Sequence, residues 1–170
     1  MIFIGNVYSE VSMMKETIAI VCSTASMKVT MMKKRPINYL LQAIAGGLFI
    51  GFGILLIVTI GGLYDPVGVP SMKVVQGLAF CVALSMVMMA GANLFTGDNF
   101  VLSVSTLEKK STPFAMVGIW LFSYIGNFMG SLVGAVLFFY AGLAVGDTAT
   151  YIEKVATYKM NAGFVALLCR

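Results

Sequence analysis

Gly91-Ala-Asn-Leu-Phe-Thr-Gly-Asp-Asn99 interrupts a stretch that otherwise reads as one membrane helix. Residues 74–107 carry a single charge, Asp98. As one straight helix they would be about 51 Å long, against a hydrocarbon core of roughly 30 Å. Two crossings need a hydrated turn at a membrane surface. One crossing needs a helix broken at mid-depth. Backbone facing lipid cannot be left unpaired, so such a break must be buried in protein or line a polar path. Transport proteins use that arrangement.

The rest of the composition fits a membrane protein. Of 170 residues, 59% are hydrophobic and only 11% are charged, with a mean hydropathy of +0.95. Soluble domains do not have that balance. Residues 36–64, 74–97 and 111–146 contain no charge, and each run is long enough to cross a bilayer. The apolar run from Met160 to Arg170 is too short to span and reads as the start of a fourth helix. The net charge of +4 does not indicate nucleic acid, because the cations lie between apolar spans without interleaved aromatics. Cys22, Cys81 and Cys169 lack metal or redox spacing, and the chain has no His. No metal site, cofactor or enzyme chemistry is expected. Residues 1–7 are too short and too poor in basic residues for a cleavable signal peptide.

Punctuation divides the chain into an arm, 1–35, and a membrane domain, 36–170. Within the arm, residues 11–32 have helical character, either as an amphipathic helix on the membrane surface or as a cap against the bundle. Lys33-Lys34-Arg35-Pro36 closes the arm, and Pro36 suits the first turn of a helix. The expected helices cover 37–60, 72–90 continued by 100–107, and 113–143, with a fourth starting at 160. Gly126, Gly130 and Gly134, spaced four apart, form a flat stripe read as helix packing. Residues 146–160 are polar.

Charge sets the orientation. Placing the arm and the 108–110 loop on one side puts Lys15, Lys28, Lys33, Lys34, Arg35, Lys109 and Lys110 together. The other side receives Lys73, Lys154 and Lys159. The positive-inside rule then predicts a cytoplasmic N-terminus, and the membrane is expected to be the cell's inner (plasma) membrane. The asymmetry holds only if 74–107 crosses once. At the break, Asn93, Thr96 and free backbone beside Leu94 and Phe95 suit a narrow apolar gate with a few hydrogen-bond donors.

Gly91-Ala-Asn-Leu-Phe-Thr-Gly97 followed by Trp120-Leu-Phe-Ser-Tyr-Ile-Gly-Asn-Phe-Met-Gly130 resembles the formate/nitrite transporter family. The resemblance implies an all-α, aquaporin-like bundle of six helices made of two inverted halves. It also implies a homopentamer with a pore in each protomer, embedded in a lipid bilayer and passing formate, nitrite or hydrosulfide. Leu94, Phe95 and Thr96 match the loop that breaks helix 2. Phe80 and Leu84 match constriction positions, and Lys159 matches a vestibule lysine that attracts anions. The chain departs from the family in having Asn93 where an acid is usual, and in lacking the pore His. It is also shorter than the family's usual length, so it is expected to be an incomplete or truncated protomer. One half of an inverted repeat cannot enclose a pore by itself. The competing expectations are a non-conducting structural membrane subunit and a hydrosulfide channel fragment.

Overall fold

A computed structural model describes residues 2–163, 165 and 166, with side chains from residue 12 onward. Among the described residues the regular structure is all helical, in six helices. These are α1 (Ile2–Lys34), α2 (Pro36–Tyr64), α3 (Met72–Ala90), α4 (Phe95–Leu107), α5 (Pro113–Tyr140) and α6 (Gly146–Met160). Three of them, α2, α3 and α5, are long and apolar enough to cross a membrane. The expected fourth span includes residues 164 and 167–170, which lie outside the described residues.

The chain forms two compact units. The first comprises residues 1–47 and 91–129. Here α1 packs against α4. Ala25, Tyr39, Leu102 and Ile119 form its fully buried core. Lys33 and Lys34 in the last turn of α1 complement the negative end of its dipole. Pro36 disfavours helical geometry at Arg35 and opens α2 instead. Gly126 of α5 lies against Ala43 of α2, where an added Cβ would collide with the Ala43 methyl. Small residues thus let two membrane helices approach closely, as in other bilayer packings.

The second unit comprises residues 48–90 and 130–170. Gly53 of α2 seats the ring of Phe80 and the methyl of Ala83 from α3. The polar segment 146–160 folds as α6, for which composition alone gave no sign. Tyr151, Val155 and Tyr158 recur at helical spacing, and Asp147 and Lys159 sit at the ends that the helix dipole favours. Tyr151 is buried against Gly61, and Thr148 lies against Gly62. Those contacts explain why α2 runs on to Tyr64 instead of ending near residue 60. Buried Gln76 donates from Nε2 to the Ile57 carbonyl at 3.0 Å and to the Tyr151 hydroxyl at 3.1 Å. Lys154 pairs with Asp65 at 2.7 Å on the surface. α5 stops at Tyr140, short of the expected 143. Gly142 takes φ +69° there, and the amides of Gly142 and Leu143 bond back to Phe139 and Phe138.

Candidate functional site at the helix break

The break is narrower than the sequence suggested. Gly91 adopts φ +61° just beyond α3, and helical structure resumes at Phe95 instead of residue 100. The reason is a cap supplied from elsewhere in the chain. Leu94, the residue before α4, is extended and has no side-chain cap of its own. Asn127 of α5 takes over, its Oδ1 accepting the Phe95 amide at 2.9 Å. The same side chain donates from Nδ2 to the carbonyls of Ala43 at 2.7 Å and Asn93 at 2.9 Å. One amide thereby satisfies backbone groups on α2, in the break and at the start of α4.

Asn93 is buried and tied on three sides. Its amide N–H reaches the Gln42 carbonyl at 3.2 Å. Its Nδ2 donates to Gln42 Oε1 at 3.0 Å, and its Oδ1 accepts from Lys28 Nζ at 2.6 Å. Lys28 also donates to Asp98 Oδ1 at 2.6 Å. The other Asp98 oxygen accepts from the hydroxyls of Tyr39 and Ser123, each at 2.6 Å. Asp98 is wholly buried, in the first turn of α4, where the helix dipole favours negative charge. A buried carboxylate is stable only when paired and fully hydrogen-bonded, and here one cation and two hydroxyls meet that demand.

The network also fixes the depth of the break. Gln42 and Ala43 lie six or seven residues into α2, about 10 Å from its start at Pro36. Asn127 lies fourteen residues into α5, about 21 Å from Pro113. The break therefore packs well along both spanning helices, away from the ends that carry the cations.

The expected gate residues sit beside this network without joining it through their side chains. Leu94 and Phe95 are half-buried, and Phe95 meets Tyr124 edge-on at 5.5 Å between ring centroids. Thr96 is exposed, and its hydroxyl has no partner among the described residues. Within the other unit, Phe80 and Leu84 lie one turn apart on α3, the first half-buried and the second exposed. Lys159 is exposed in the last turn of α6. Sequence reasoning missed Lys28, Tyr39, Gln42 and Ser123. One signal was available: a lone acid in an apolar stretch demands a cation. Which of the many lysines supplies it is a matter of tertiary packing.

The sequence profile of the formate/nitrite transporter matches residues 15–170. The chain belongs to the formate/nitrite transporter family. Among its relatives in that family, the nitrite transporter NirC of Escherichia coli (strain K12) is 30% identical over 157 residues, covering 91% of this chain and 57% of NirC. The formate channel BtFdhC of Bacillus thuringiensis is 32% identical over 127 residues, covering 74% of this chain and 49% of that protein. A solved structure of an FNT family ion channel superposes with a TM-score of 0.79 at 28% identity, covering 88% of this chain and 59% of the other. The chain thus spans between 49% and 59% of the length of these family members, and it is a multi-pass membrane protein.

Proposed function

We propose that this chain takes part in moving small monovalent weak-acid anions, of the formate and nitrite type, across a membrane. The observation that carries the reading is the break itself. A polar network ties Asn93, the Phe95 amide and Asp98 to α1, α2 and α5, while the side chains of Leu94, Phe95 and Thr96 are left out of it. Rigid support under an otherwise uncommitted trio is what a permeation gate requires. In this reading Leu94 and Phe95 exclude hydrated ions, and Thr96 offers a hydroxyl to an anion that has shed water. Phe80 and Leu84 serve as apolar constriction residues on α3. Lys159 raises the local anion concentration at the outer mouth. The excess of cations on the arm and the 108–110 loop supports a cytoplasmic N-terminus in the plasma or inner membrane. The family resemblance supports a homopentamer acting as a channel and not as an enzyme.

Proteoliposome uptake tests the proposal. The 170-residue chain and a chimera in which it replaces the matching part of NirC are compared for formate and nitrite. The chimera is expected to carry both anions. The chain alone is expected to carry neither, since a pore of this kind lies between two inverted halves. Thr96→Val in the chimera is expected to lower uptake about tenfold, the worth of one hydrogen bond to a charged group. An assembled chimera that passes neither anion overturns the proposal.

A further inference from the structure

At the end of α1 a cleft of about 190 Å³ opens between that helix and the segment leading into α5. Ser26, Thr30, Lys33, Lys110, Ser111 and Thr112 line it. Ser26, Thr30 and Lys33 follow one another at i, i+4 and i+7, so one face of α1 presents two hydroxyls and an ammonium. A second cleft, of about 400 Å³, shares Ser26 and Thr30 and carries Lys34 and Arg35.

Two independent features mark the first cleft as built for an anion. The first is unpaired charge. Among the described residues the ion pairs are Lys28–Asp98 and Lys154–Asp65, so Lys33 and Lys110 have no carboxylate partner. Glu108, two residues from Lys110, is not among the residues lining the cleft. The second is unspent donors. Elsewhere on α1 the hydroxyls of Thr17, Ser23 and Thr24 bond back to helix carbonyls at 2.8–3.0 Å. Among the described residues Ser26 and Thr30 make no such bond. On the facing segment, Ser111 Oγ is anchored to Ser105 Oγ at 2.7 Å, and Thr112 Oγ1 accepts the Ala115 amide at 3.3 Å, which fixes that wall.

The location narrows the ligand. Lys33 precedes the first residue of spanning helix α2 by three positions, and Thr112 immediately precedes spanning helix α5. The cleft therefore lies where spanning helices enter the bilayer, at headgroup depth. Basic pockets at that depth attract anionic lipid headgroups. We propose that this cleft binds the phosphate group of an anionic phospholipid in the leaflet on the Lys33–Lys110 face. The two ammonium groups neutralise the phosphate, and the hydroxyls of Ser26 and Thr30 donate to its oxygens.

Native mass spectrometry of the full chain in detergent, titrated with phosphatidylglycerol or phosphatidylcholine, tests the assignment. The wild type is expected to retain phosphatidylglycerol preferentially. The double variant Lys33→Gln/Lys110→Gln is expected to weaken that retention about tenfold or more, the worth of two juxtamembrane lysines. Lys33→Arg/Lys110→Arg is expected to keep it, and so is Lys73→Gln, which alters charge elsewhere. All these positions are exposed, and thermal unfolding without lipid verifies that each variant folds. Unchanged retention in the double Gln variant overturns the proposal. Displacement of the lipid by equimolar inorganic phosphate also overturns it, assigning the cleft to a free anion instead.

Discussion

Lys28 Nζ stands 2.6 Å from Asp98 Oδ1, joining a helix of the N-terminal arm to the first turn after the helix break across 70 residues of sequence. The pair is asymmetric: the lysine side chain keeps about a fifth of its surface exposed, and the aspartate keeps none. Removing the lysine strands a buried charge, whereas neutralising the aspartate does not.

Lys28→Met is therefore expected to destabilise the protein by about 3 kcal/mol, the usual cost of orphaning a buried charge. Adding Asp98→Asn to that variant should recover part of the loss, because the amide can still accept from Tyr39 or Ser123. Thermal unfolding in detergent measures both. A double variant no more stable than Lys28→Met would show that the pair is not the source of the loss.

Asn127→Leu removes the acceptor for the Phe95 amide and the donors for two carbonyls. Each group left unpaired costs about 1–3 kcal/mol. The variant is expected to unfold earlier and to lose hydrogen-exchange protection at Phe95 in particular. Asn127→Asp keeps the acceptor but sets an uncompensated carboxylate oxygen against two carbonyls, so it should keep protection at Phe95 while losing stability overall.

At the contact between Gly126 and Ala43 the limit is steric. Gly126→Ala is expected to cost about 1–3 kcal/mol by overpacking. Combining it with Ala43→Gly should restore most of the stability, giving a coupling energy that a double-mutant cycle reads directly. Additive losses would place the strain elsewhere.

The surface pair Lys154–Asp65 provides a contrast. Its lysine side chain is 63% exposed and the aspartate 31%. Asp65→Asn is expected to cost less than about 1 kcal/mol, and the difference should vanish in high salt. Burial, and not ion-pair distance, separates this pair from Lys28–Asp98, since the two distances are nearly equal.

Much of the architecture is legible in the sequence because membrane spans announce themselves by length and lack of charge. The runs 36–64 and 111–146 contain α2 and α5, and the Gly91–Leu94 interruption separates α3 from α4. Where that interruption ends was hidden, because the cap on α4 belongs to Asn127 and not to a neighbouring residue. α6 was hidden for a related reason. Its one buried residue, Tyr151, gains its place only against Gly61 of α2. Lys28 read as one more arm cation because its value depends on Asp98. Local pattern reveals elements that satisfy themselves, and it is silent on those completed from a distance.

The borrowed cap on α4 has a consequence for how the chain is made. Lys28, Tyr39 and Gln42 already exist when the interruption leaves the ribosome, but Asn127 is synthesised 32 residues after Phe95. Until then the Phe95 amide has no acceptor. The turn at Leu94 is thus completed late in synthesis, only once Asn127 on α5 has been made.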